Sequence, residues 1–287
     1  MCNQRFLTSI FVIFMISLTL PVFSQVRVHC DEDIAKVEEL LEVATNAGSG
    51  LGNRIVAVAQ AMQGTSLGPK ADNDSIGTIM VNLHTMDQLS FLNNVLAIAI
   101  AARKPAPGFN DYVAELERIS RKKGKDEGFA SQLFYGSEWI TENVYNGTIK
   151  EMTEYLTGGG MKTKTLDYVT RHKDDFPALA DSLVMDKMKQ REMGLRSHRI
   201  PHLKKQSAGN KSLHELLTNG DIIMLLSNDT DFDFYDVGFV ELKDGVPYLI
   251  HFNTNEGLLK EDEVPLPRLF KIENQRFYGY RWLHPID

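Results

Sequence analysis

The runs Val237-Gly238-Phe239-Val240-Glu241-Leu242 and Pro247-Tyr248-Leu249-Ile250-His251-Phe252, joined across Lys243-Asp244-Gly245, decide how this chain folds. Each run is short, apolar, and rich in β-branched and aromatic residues, which suits a pleated strand. The Asp-Gly pair supplies the positive φ angles of a tight hairpin. Ile222 to Leu226 upstream and Phe277 to Leu283 downstream read as strands in the same way.

Upstream of these strands the period changes. Ile34, Val37, Leu40, Leu41 and Ala44 recur at helical spacing, with Asp31 placed to cap and Gly48 and Gly50 to terminate. A second amphipathic helix spans about Asn53 to Met62, and Gly64 to Ser75 is turn-rich. A third helix runs from about Asp87 to Ala102. Its stretch Val95-Leu96-Ala97-Ile98-Ala99-Ile100-Ala101 is apolar all round, as expected of a buried central helix. Asp111 to Arg121 reads as a surface helix, and Phe134 to Val144 carries aromatics. Gly158-Gly159-Gly160 reads as a flexible turn, and Met185 to Lys205 as one basic helix ended by Pro201. Helices first and an antiparallel strand set afterwards predict an α+β fold, with helices packed on the sheet.

The composition agrees with one sizeable globular domain. The chain has 287 residues, of which 43% are apolar and 24% charged. A net charge of −7 offers no footprint for nucleic acid. The two cysteines, Cys2 and Cys30, exclude a disulfide framework and a Cys-rich zinc site. Arg5, the apolar run Phe6 to Phe23, and small residues at Val22 and Ser24 predict a signal peptide over residues 1–24. Residues 25–287 are then a single secreted or periplasmic domain with no stable membrane anchor. Cys30 is its only cysteine.

Local motifs carry little chemistry. Asp229, Asp231 and Asp233 precede Asp236, but Phe234 and Val240 stand where an EF-type loop needs Gly and Glu, so an acidic loop is expected. His198 and His202 are four apart with Pro201 between them. No metal site or cofactor is predicted.

Several blocks taken together resemble the N-acetylmuramoyl-L-alanine amidase-like family of secreted bacterial proteins, within the NlpC/P60 cysteine-peptidase superfamily. Ala59 to Thr65 resembles that family's helix before a Gly-Thr-Pro-Tyr turn. Val81-Asn82-Leu83, then Asp87-Gln88-Leu89-Ser90-Phe91-Leu92-Asn93-Asn94-Val95-Leu96-Ala97, resembles its nucleophile motif. That motif is Asn-Leu, a short gap, Asp-Cys, two residues, Phe or Tyr, Val-Glu-Asn and Leu-Ala. Ser137-Glu138-Trp139-Ile140 is similar to Ser-Asp-Trp-Ile, and Leu166 to Leu179 to a further block. Asn219 to Ile223, Tyr235-Asp236-Val237-Gly238-Phe239 and Leu249-Ile250-His251 resemble the family's strand motifs. The resemblance implies a papain-like fold, a Cys at a helix N-terminus, His residues on the sheet, and cell-wall peptide substrates.

The chain departs from that pattern at the centre. Gln88 stands at the nucleophile position and Asp236 at the base position, and only His251 keeps its residue type. Leu67 stands near the place of the family's Tyr. A carboxamide cannot be the nucleophile of a covalent acyl transfer. Ser90 would point to another helix face, and Cys30 is distant in sequence. The expectation is a catalytically degenerate protein that binds peptidoglycan fragments or a peptide ligand in a pocket of Asp87, Gln88, Trp139, Asp236 and His251. The alternatives are an amidase with non-standard chemistry, such as water activation by Asp236 and His251, or a protein-interaction module on the same fold.

Overall fold

The four C-terminal runs are strands, spanning Ile222–Ser227, Asp236–Lys243, Val246–Asn253 and Phe277–Pro285. The hairpin turn between the second and third has Asp244 at φ 51° and Gly245 at φ 77°, the two positive angles of a type I′ turn. The computed structural model describes residues 26–28, 30, 32–68, 79–124, 128–156, 159–272 and 276–287. The predicted signal over residues 1–24, with Cys2, lies outside them, as do Asp31 and Gly158.

In chain order the elements are β1 (Val26–Val28), α1 (Glu32–Asn46), α2 (Leu51–Ala61), β2 (Ser66–Leu67), β3 (Ile79–Val81), β4 (Thr85–Met86) and α3 (Gln88–Ala101). Then come α4 (Phe109–Ser120), α5 (Gly136–Tyr145), β5 (Ile149–Glu151), β6 (Gly159–Lys164), α6 (Tyr168–Arg171), α7 (Ser182–Met193), β7 (His198–Lys204) and α8 (Lys211–His214). The last are β8 (Ile222–Ser227), β9 (Asp236–Lys243), β10 (Val246–Asn253), β11 (Leu258–Glu261), α9 (Leu266–Ile272) and β12 (Phe277–Pro285). A ten-stranded sheet runs in the order β4-β2-β11-β10-β9-β8-β12-β7-β6, with β5 also paired to β12. Its pairs are antiparallel except β2 with β4. A separate short pair joins β1 to β3 in parallel.

The central strands are buried on both faces, which is why their sequences read as continuous apolar runs. All six residues of β8 are buried. On one face Ile222, Met224, Val237, Phe239, Ile250 and Phe252 pack against α1 to α4. On the other, Ile223, Leu225, Val240, Leu249 and Trp282 pack with Leu266, Leu269 and Phe270 of α9. The helix at the centre is α3. Leu89, Phe91 to Ala99 and Ala101 are all buried, and Phe91 meets Phe239 and Phe252 edge-on at 5.4 and 5.7 Å. Each such aliphatic or aromatic side chain contributes about 1.5–3 kcal/mol by leaving water. Asp87 starts the helix: extended at φ −80°, ψ 173°, it accepts the Ser90 N–H at 2.7 Å.

Three local expectations are corrected. Gly159 and Gly160 open β6 and are not in a turn. A Cβ on Gly160 would lie 3.0 Å from the His202 ring, so the glycines let β7 approach. The Met185–Lys205 segment is not one helix. It is α7 to Met193, a reversal with Ser197 at φ 53°, and then β7. Pro201 is tolerated in β7 because that residue is flanked on one side only, by Met161 of β6; β12 pairs only Leu203 and Lys204. Strand geometry also sets His198 and His202 roughly 13 Å apart along the backbone, too far to share an ion. The helix over Asp111 to Arg121 is observed as α4, but it is no mere surface helix: Tyr112, Leu116 and Ile119 are buried.

One glycine pair fixes how α2 docks beside β8. Gly220, at φ +81°, sits so close to Gly52 that a Cβ would lie 2.6 Å from the Gly52 Cα. Gly220→Ala combines left-handed strain with this backbone overlap, and we expect a loss of about 2–4 kcal/mol in urea unfolding. A loss under 0.5 kcal/mol would mean the contact is loose.

Candidate functional site

The N-terminus of α3 opens into a cavity of about 690 Å³. Asp87, Gln88 and Leu89 form one wall. The others come from Phe134 and Tyr135 before α5, Tyr168 and Val169 of α6, Phe176, the end of β8, the β8–β9 loop and Arg276. Six separate segments therefore build one pocket, and seven of its fifteen lining residues are aromatic. Tyr168 stacks on His172 at 4.1 Å, lies 4.7 Å from Phe232, and meets Phe176 edge-on at 6.3 Å. Phe232 is 43% exposed.

Buried polar clasps hold these walls. Tyr135 donates its hydroxyl to Glu192 at 2.5 Å, and the Val169 N–H donates to the same carboxylate at 3.1 Å. Arg191 forms a two-point pair with Glu138 at 2.6 and 2.7 Å. The Lys164 ammonium donates to the carbonyls of Ser227 and Phe232 at 2.7 and 2.6 Å, and also to that of Asp229. Burial lowers its pKa to about 8.

That ammonium explains the acidic loop. Asp233 is turned inward to accept the Gly136 and Ser137 N–H groups at the start of α5, at 3.1 and 2.5 Å. Asp231 pairs with Arg171 at 2.5 Å, and Asp229 accepts the Asp231 N–H at 2.9 Å. The three carboxylates serve three different partners, and Lys164 is the cation that the loop carbonyls surround. This is the acidic loop expected from the sequence. At the cavity rim the Arg276 guanidinium donates to the Tyr235 hydroxyl at 2.8 Å and to Thr254 at 2.7 Å.

The residues singled out in the sequence fall in three places. Asp87 and Gln88 line the cavity. Trp139 is wholly buried in the core, where its indole N–H donates to Asn93 of α3 at 2.7 Å and so ties α5 to α3. Asp236 and His251 do meet, but away from the cavity lining. Ile250 and Phe252 face α3, so strand alternation turns His251 to the other face of the sheet. Gly238 makes room for it: a Cβ there would stand 2.8 Å from the His251 Cβ.

A third residue completes that group. The His251 Nδ1 donates to Asp236 at 2.5 Å and its Nε2 donates to Asp262 at 2.9 Å. Burial alone would push the imidazole's pKa down, but the Asp236 carboxylate and then Asp262 overcome it and raise it to about 10. Burial pushes the Asp236 carboxyl up. His251 at neutral pH is thus an imidazolium with both N–H groups committed. A general base needs an unprotonated nitrogen aimed at its substrate, and this ring offers none. Asp262 was invisible in the sequence: it lies in a short charged run after β11, with no periodicity to mark it. The aromatic wall was equally hidden, because its members are scattered over a hundred residues.

Known proteins supply the context for this geometry. The sequence model of the AmiA-like family, described as N-acetylmuramoyl-L-alanine amidase-like, matches residues 60–273. Among solved structures, an N-acetylmuramoyl-L-alanine amidase from Bacteroides uniformis ATCC 8492 superposes with a TM-score of 0.68 at 20% identity. The match covers 87% of this chain and 100% of that one. A Legionella pneumophila protein superposes with a TM-score of 0.69 at 14% identity, covering 89% of this chain and 95% of that one. At such identities the likeness is one of fold. No curated protein matches the sequence.

Proposed function

The chain belongs to the N-acetylmuramoyl-L-alanine amidase-like family, and from that premise we propose that it is a secreted, catalytically degenerate member that binds peptidoglycan fragments. The observation that carries this reading is the cavity at the α3 N-terminus. Its lining includes Gln88, the residue that the motif resemblance aligns with the family's nucleophile. The degeneracy reading draws further support from His251, whose two nitrogens are both held by carboxylates. The papain-like architecture of the NlpC/P60 superfamily belongs to the same proposal. It is supported by a buried helix, opening at a cavity, packed on an antiparallel sheet.

The cavity suits such a ligand chemically. Aromatic faces bind the C–H faces of sugars and the apolar parts of peptides. Asp87, Gln88 and Arg276 add polar groups to the lining for the peptide part of such a ligand. The open, partly polar pocket also argues against a pure protein-interaction module, which would have a closed or filled one. Titration of the purified chain with defined muropeptides tests the reading. We expect saturable binding, weakened about tenfold or more by Tyr168→Ala or Phe232→Ala, as for aromatic anchors elsewhere. Incubation with peptidoglycan and mass analysis should return intact substrate. Absence of binding by every muropeptide would sink the binding half, and release of amidase products would sink the degenerate half.

A further inference from the structure

Three side chains with metal-ligand chemistry converge outside the cavity lining, at the start of α1. Cys30 lies just before α1, Asp33 is in the first turn of that helix, and His84 sits in the loop between β3 and β4. The parallel pairing of β1 with β3 brings these regions together. The Cys30 Sγ is 3.5 Å from one Asp33 carboxylate oxygen, and the His84 Nε2 is 3.8 Å from the other. One ligand atom from each of the three lies within 4.8 Å of the other two.

We propose that Cys30, Asp33 and His84 form a binding site for a borderline-soft divalent metal ion, zinc before all others. Zinc–ligand bonds of 2.0–2.3 Å imply ligand separations of about 3.3–3.8 Å around a tetrahedron. The two closest separations here, each to a different Asp33 oxygen, already fall in that range. One thiolate, one imidazole and one carboxylate are a donor set that suits zinc and disfavours calcium or magnesium. The carboxylate is pre-aimed. Asp33 is wholly buried, and the N–H groups of Leu83 and Cys30 donate to it at 2.8 and 3.0 Å. Backbone donors that orient a ligand in this way are the usual second layer of a built metal site. Three protein ligands leave the fourth position of a tetrahedral ion to a water molecule. One carboxylate and one thiolate then face the ion, and together they match the charge of a dication. A bound ion would pin the residues ahead of α1 to the loop that leads, three residues on from His84, into Asp87. The site shares no residue with the cavity and does not rest on the proposed ligand.

Reduced, tag-free protein stripped with a chelator and titrated with cobalt(II) tests this directly. One equivalent should give a thiolate-to-cobalt charge-transfer band with the strong visible bands of a tetrahedral centre, and zinc should erase both. Zinc should also slow alkylation of Cys30 by iodoacetamide about tenfold or more and raise the melting temperature. Cys30→Ser and His84→Ala should each weaken binding about a hundredfold. The His84 side chain is 52% exposed, so its removal leaves the fold in place. Cobalt spectra without a charge-transfer band, or wild-type affinity in both variants, would overturn the proposal.

Discussion

Replacing His251 by Leu should cost about 3–5 kcal/mol of folding stability at pH 7, with no loss of a hydrolytic activity. The size follows from what the substitution leaves behind. Asp236 and Asp262 face one imidazolium from both sides, and Asp236 is 1% exposed. Removing the cation strands two carboxylates near each other in a desolvated place, and breaking a buried ion pair on one side typically costs that much. The pH dependence has a definite sign. The folded imidazole titrates near 10 against an ordinary value of 6.5. The stabilisation is therefore complete below about pH 6.5 and is lost as the pH rises through 10. Urea unfolding of the wild type at pH 7 and pH 10.5 should show this decline, and His251→Leu should flatten it. Adding Asp236→Asn and Asp262→Asn to His251→Leu should recover part of the loss, because neutral amides tolerate the site better than stranded charges. A His251→Leu variant as stable as wild type would mean that water reaches the group. If instead the wild type cuts peptidoglycan and the variant does not, His251 is catalytic and the degenerate reading falls.

How much of this was open to reading depends on where the constraint lies. The hairpin of β9 and β10 was legible because its apolar runs and its Asp-Gly turn are local and agree with each other. The helix α3 was legible because an all-apolar stretch of that length has one home in a compact protein, its centre. β6 and β7 were not. Glycines open β6 and a proline interrupts β7, and they pair as strands where His202 packs into space left by Gly160 and Gly279. The site divides in the same way. Gln88 could be placed by its motif at a helix start, and the Asp-Val-Gly spacing set Asp236 near His251. The partner that decides the chemistry of His251 is Asp262, held by a backbone bond from its N–H to the Leu249 carbonyl at 2.9 Å. Nothing in a single sequence announces that long-range register. Cys30 lies outside the cavity lining, as its distance from the motif suggests, but that distance says nothing about Asp33 and His84 beside it.

Gln88→Cys should create a thiol that iodoacetamide alkylates in the folded protein, while amidase activity stays undetectable. The position is partly exposed and lies in the first turn of α3, where unpaired N–H groups and the helix dipole favour thiolate. The neighbouring Asp87 works against this, but its carboxylate is already engaged with the Ser90 N–H, which moderates its effect. A nucleophile without a base still lacks most of the rate, since removal of one member of such a pair typically costs several orders of magnitude. The second substitution, Asp236→His, tests whether the base can be restored. In this fold it should fail, because the new imidazole would lie on the strand pair behind the cavity lining and would strip His251 of its tightest partner. We expect Gln88→Cys/Asp236→His to be less stable than Gln88→Cys and no more reactive towards iodoacetamide. Mass spectrometry of the adduct reads the thiol, and product analysis on peptidoglycan reads the chemistry. Recovery of hydrolysis in the double variant would show that two substitutions alone silenced the site, and that Asp236 reaches the substrate. An unreactive thiol in the single variant would instead mean that the α3 N-terminus is closed to a small electrophile, and the cavity would then have to be assigned a different occupant.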